Sequence, residues 1–109
     1  MTERRRTIAL CRPDTPGREI QHLAARYSLE VVYTVFTDTE SSKLTAMIAV
    51  QHLIEHDAEV LVISNLSAAR ITHDQHWRAV LAAADIITSD GPVEYPPPSP
   101  DRRTTPSAP

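Results

Sequence analysis

The residue pattern predicts a three-layer α/β domain with a four-stranded, mainly parallel sheet and about three helices. Four short runs rich in apolar and β-branched residues are spread along the chain. Between them lie segments whose apolar residues recur every three to four positions. Proline and capping residues stand where one kind of segment gives way to the other. Strands alternating with helices of this length imply right-handed crossovers and a parallel sheet. The domain is expected over residues 7–91, followed by a disordered proline-rich tail over 92–109.

Thr7–Arg12 is short, apolar and bounded by Pro13, the pattern of a strand buried on both faces. Thr15-Pro16 then offers an N-cap with proline at the first helical position. Ile20, Leu23, Ala24 and Tyr27 share one face of the helix that follows. Leu29–Phe36, LEVVYTVF, is β-branched and aromatic and reads as the second strand. Thr37–Ser42 is polar and caps a second helix from Lys43 to about His56. Leu44, Met47, Ile48, Val50, Gln51 and Ile54 lie mostly on one side of that helix, and His52 and His56 on the solvated side. Val60–Ile63 is a buried strand. Thr72-His73-Asp74-Gln75 has the Thr-x-x-Gln form of a capping box. Trp77, Val80, Leu81 and Ala84 repeat the helical spacing, and Asp85–Thr88 is a fourth strand. Seven prolines crowd the last eighteen residues, so an extended, unpacked tail is expected there.

A chain of 109 residues holds one domain with a modest core. Its net charge of −3 argues against strong nonspecific nucleic-acid binding, so DNA contact is expected to be weak if present. Ten of eleven cationic residues are Arg, which reads as coding bias rather than phosphate recognition. Arg4-Arg5-Arg6 reads as a solvated terminus, with weak phosphate contact as the alternative. Cys11 is the single cysteine, so no internal disulfide forms and a reducing, cytoplasmic setting fits. No apolar run approaches the ~18 residues of a membrane span.

The chemistry-bearing residues give weak signals. Cys11 with Arg18 lacks the spacing of a phosphate-binding Cys loop, and Cys11 reads as a small buried hydrophobe. His52 and His56 stand at i, i+4, and His73 and His76 sit at a helix start. Neither pair has an evident third ligand, so no metal is expected. Asp38, Glu40, Ser41 and Ser42 form an acidic, hydroxyl-rich loop. With Asp14 it offers oxygen ligands to a divalent cation, but a helix N-terminus explains it as well. Only Gly17 and Gly91 are glycine, which argues against a glycine-rich nucleotide loop and leaves no cofactor expected.

The order of motifs over Thr7–Gly91 resembles the N-terminal catalytic domain of serine recombinases, the resolvases and invertases. Leu10-Cys11-Arg12-Pro13-Asp14 stands where that family has its Tyr-Ala-Arg-Val-Ser-like stretch, and Arg12 matches the family's arginine. Gln21 and Leu23 match a glutamine and leucine of the next helix. Asp38-Thr39-Glu40-Ser41 is similar to the family's Asp-x-x-Ser-Gly, with Ser42 at the glycine. His56-Asp57 before the Val60–Ile63 strand looks like the family's Gly-Asp. Asn65–Arg70 looks like an eroded Leu-Asp-Arg-Leu-x-Arg.

The resemblance implies a strand order of 2-1-3-4 and a vestigial site at Arg12, Asp14, Asp38, Ser41 and Arg70. Asp14 occupies the position of the serine nucleophile, and Ser67-Ala68 replaces the Asp-Arg pair. A carboxylate cannot form the phosphoserine linkage, and the lost arginine removes charge stabilisation from phosphoryl transfer. The proline-rich end stands where the family has a long interface helix and a DNA-reading module. The resemblance thus implies a catalytically inactive, truncated relative. Such a protein acts through protein contacts, as a homodimer or as a recombination accessory. A small α/β enzyme using Arg12, Asp14, Asp38 and Ser41 is the alternative.

Overall fold

A computed structural model describes residues 4–94. In chain order the elements are β1 (Arg5–Cys11), α1 (Gly17–Arg26), β2 (Leu29–Phe36), α2 (Ser42–Glu55), β3 (Val60–Ile63), α3 (Ala68–Thr72), α4 (Gln75–Leu81), β4 (Asp85–Thr88) and β5 (Gly91–Pro92). One five-stranded sheet has the order β2-β1-β3-β4-β5. The first four strands pair in parallel, and β5 returns antiparallel on β4. β3 and the Ile8–Cys11 part of β1 are continuous apolar runs because they sit centrally, with helices on both faces.

Two cores lie on opposite faces of the sheet. Ile8, Leu10, Leu61, Ile63 and Ile86 pack with Ala46, Ala49, Leu53, Ile71, Trp77 and Val80 from α2, α3 and α4. Ala9, Cys11, Val60, Val62 and Ile87 pack with Ile20 and Leu23 of α1. Alternation along β1 sends successive side chains to opposite layers, which builds the three-layer sandwich.

Several expectations are corrected. The sheet has a fifth strand and the domain a fourth helix. Residues 92–94 belong to the domain: Val93 N donates to Ile86 O at 2.8 Å, and the Val93 side chain packs on the core. The disordered-tail expectation otherwise falls on residues 95–109, outside the described residues. β1 starts at Arg5, so the arginine triplet is not simply a solvated terminus. Arg5 binds Glu59 and Asp85, and Arg6 donates twice to the His56 carbonyl. The Thr-x-x-Gln capping box does not form. Thr72 ends α3, and Asp74 caps α4 by accepting from the backbone N–H groups of His76 and Trp77. Pro16, not Thr15, is the N-cap of α1 and makes no side-chain bond there.

The largest correction concerns α2. Its buried residues are Ala46, Ala49 and Leu53. Leu44, Met47 and Ile54, expected inside, are 52%, 58% and 74% exposed. The helix is apolar nearly all round, with no charged residue between Lys43 and Glu55, so its spacing alone does not choose a face. Two alanines let the helix approach the sheet closely. The same rotation brings His52 and His56 inward, to half-buried positions rather than the solvated side.

Candidate site at the strand ends

Strand order reverses around β1, whose neighbours β2 and β3 are reached by crossovers on opposite faces. In open α/β sheets, ligands bind at such a point, beyond the carboxyl ends of the strands. The loops after β1, β2 and β3 meet there. Arg12, Glu40, Asn65, Leu66 and Arg70 line the opening. Its narrow part, floored by Leu10, Ile63 and Trp77, has a volume of about 60 Å³. That admits a few waters and is far below the size of a nucleotide pocket.

The loop after β1 is a closed turn. Thr15 N donates to Arg12 O at 3.0 Å, and Arg12 N donates to Thr15 Oγ1 at 3.1 Å. Thr15 therefore serves the turn, which explains why it does not cap α1. The turn leaves Asp14 exposed beside Arg12 and Arg70 on the open shoulder of the cleft. Arg12 reaches across to Glu40 Oε2 at 3.2 Å. Arg12, Asp14 and Arg70 are thus brought together as expected residues, and Glu40 joins them. Asp38 is exposed, and neither Asp38 nor Ser41 lines the cleft. The two guanidiniums face two carboxylates, so the charges of these four groups cancel and no strong anion-attracting field arises.

Hydroxyl groups near the cleft are engaged in holding the start of α2. Ser41 Oγ accepts from Leu44 N at 3.2 Å as the N-cap. Thr39 Oγ1 accepts from Ser41 N, and Thr45 Oγ1 donates to Ser41 O at 2.8 Å. Ser42 bonds to the Asp74 carboxylate. Burial alone raises the Asp74 carboxyl. Hydrogen bonds from Ser42 and from the backbone N–H groups of His76 and Trp77 outweigh it and bring the carboxyl below its ordinary value. A carboxylate held in that way is a poor general base. Cys11 is buried, and burial first, then the charge of Glu19, pushes its thiol up, away from the thiolate that nucleophilic attack needs.

The acidic loop does not gather into a cation site, because Glu40 turns to Arg12 and Ser41 to the helix. Among the described residues, the group of histidine and carboxylate side chains close enough to share an ion is His52, Glu55 and His56, at the other end of α2. The i, i+4 histidine spacing was a visible signal; Glu55 between them completes it. Arg18 is exposed on α1, and His73 Nδ1 lies 2.7 Å from the Ala69 carbonyl. Comparison with family models, curated proteins and solved structures finds no match to this chain.

Proposed function

We propose that this chain is a recombinase-like domain that keeps the frame of a phosphoryl-transfer site without its chemistry. It acts by binding protein, and the partner is a second copy of the chain. The strand order β2-β1-β3-β4 and the position of Arg12 at the β1 end support the family reading. Asp14 at the nucleophile position, the occupied hydroxyls and the high thiol of Cys11 support the absence of catalysis.

The observation that carries the binding role is the outer face of α2. Leu44, Met47, Gln51 and Ile54 follow one another at spacings of three, four and three residues, a straight seam along the helix. Three of the four are large, apolar and exposed. The adjoining groove toward α4 adds Ile48, Val50, Ala79 and Ala83. Contiguous exposed apolar surface of this kind marks an interaction site. The seam carries no charge from Leu44 to Ile54, so two copies meet about a twofold axis without like-charge repulsion.

Light scattering across a concentration series tests this reading. The wild type should run as a dimer, and Met47→Glu with Ile54→Lys should give a folded monomer. Phe36→Ser, on the exposed edge strand, should leave the dimer intact. A wild type that stays monomeric throughout overturns the reading.

A further inference from the structure

We infer that His52, Glu55 and His56 form a binding site for a divalent transition-metal ion of the zinc class. The three residues stand at the end of α2 as His-x-x-Glu-His, with His52 and Glu55 in its last turn and His56 as its C-cap. Positions i, i+3 and i+4 share one helix face, so the backbone itself brings the donors together. One ligand atom from each residue lies within 4.8 Å of the others.

His52 Nδ1 is fully enclosed and makes no hydrogen bond. It faces Glu55 Oε1 at 3.6 Å, too long for a hydrogen bond. Two ligand atoms bound to one tetrahedral ion at zinc bond lengths lie roughly 3.4 Å apart. The gap is therefore about the one that a shared ion spans, and ligation gives the bare nitrogen the partner it lacks. The widest separation of the donors has to close by roughly 1.4 Å, a side-chain rotation rather than a backbone movement.

The surroundings hold the donors in place. Gln51 Nε2 donates to Glu55 Oε2 at 3.3 Å, which leaves Oε1 turned to His52. The Tyr33 ring stacks on His52 and His56, with centroids 5.0 and 4.6 Å away and planes within 17°. That stacking depends on an irregularity in the β1–β2 register between Thr7 and Ile8. Thr7 pairs with Val31 but Ile8 pairs with Tyr33, so Val32 is extra and Tyr33 turns to the α2 face. Orienting contacts around ligands are a feature of built metal sites. The C-terminal end of α2 also carries the negative end of the helix dipole, which favours a cation. Arg6, clamped on the His56 carbonyl, is the opposing charge.

The donor set selects the class of ion. Two imidazoles and one carboxylate suit zinc, cobalt, nickel or copper, whereas calcium and magnesium require mostly oxygen. Three protein donors leave a position open to water or another ligand. The site is independent of the α2 seam, so Met47→Glu should bind metal as the wild type does.

Calorimetric titration of the full, tag-free chain with Zn²⁺ tests the inference, with Co²⁺ absorption as a probe of coordination. One ion per chain is expected, with a tetrahedral cobalt spectrum and a rise in Tm on adding zinc. Glu55→Gln and His56→Ala should each weaken binding by about tenfold or more while circular dichroism stays unchanged. His73→Ala with His76→Ala should leave it intact. Absence of binding to the wild type overturns the inference, as does equal affinity in the folded Glu55→Gln and His56→Ala variants.

Discussion

At the scale of single residues, Asp74 shows how position decides what a carboxylate does. It caps α4 and bonds Ser42 at the start of α2, so one side chain ties two helix beginnings together. Its folded carboxyl lies below the ordinary value of 3.8. The stabilisation from that shift is complete above the ordinary value and is lost as pH falls through the folded value. Asp74→Ala should therefore cost about 0.5–2 kcal/mol at pH 7, the range for a lost N-cap. Asp74→Asn keeps a capping oxygen and should lose less. Urea unfolding at pH 7 and again near pH 3 measures both variants, and the gap between wild type and Asn should narrow at the lower pH. From sequence, Thr72 with Gln75 made the neater capping pattern. Asp74 prevails because α3 runs to Thr72 and leaves too little chain for a cap there. The cluster at the strand ends was legible in the same partial way. Arg12, Asp14 and Arg70 converge because they follow the ends of neighbouring strands. Ser41 does not, because its hydroxyl satisfies the helix N-terminus it stands on.

The strands were readable because burial on both faces demands unbroken apolar runs, and Val60–Ile63 and Asp85–Thr88 carry no competing pattern. Helices were readable in place but not always in orientation. On α2, Leu44, Met47 and Ile54 match a core stripe as well as Ala46, Ala49 and Leu53 do. Close packing against the sheet decides in favour of the small residues, and that depends on strands distant in sequence. This rotation has a measurable consequence. Ala49→Leu places extra volume against β1 and β3 and should cost about 1–3 kcal/mol. Leu44→Glu alters only exposed surface and should shift stability by no more than about 0.5 kcal/mol. Chemical denaturation of both variants at low protein concentration makes the comparison, and the reverse ranking would return α2 to the orientation its spacing suggested. Five-residue α3 left no periodic trace at all, since one turn and a half is too short to show one.

On the scale of the whole molecule, the sheet is closed at its β4 side by a two-residue strand whose second residue, Pro92, composition alone assigned to the tail. Pro92 has the residue type of the segment after it, so the proline count overrode the pairing potential of its neighbours. The structure shows why the chain must turn back here. Without Gly91–Val93, β4 would be an edge strand with unpaired backbone groups over a buried Ile86 and Ile87. Gly91 makes the return possible with φ of 115°, a conformation glycine adopts readily, and a Cβ there would lie 3.4 Å from the Tyr27 hydroxyl. Thr88 Oγ1 fastens the turn by donating to Gly91 O and accepting from Asp90 N. Two shortened chains separate this closure from everything beyond it. A chain ending after Glu94 retains β5, the Val93 bond to Ile86 and the Val93 packing. One ending after Asp90 loses all three and exposes the β4 edge. The shorter chain should unfold at clearly lower denaturant and aggregate more readily, because a bare strand edge over an apolar face is a template for pairing with other copies. Equal unfolding midpoints for the two would mean that β4 already completes the sheet and that the return strand contributes nothing to its stability.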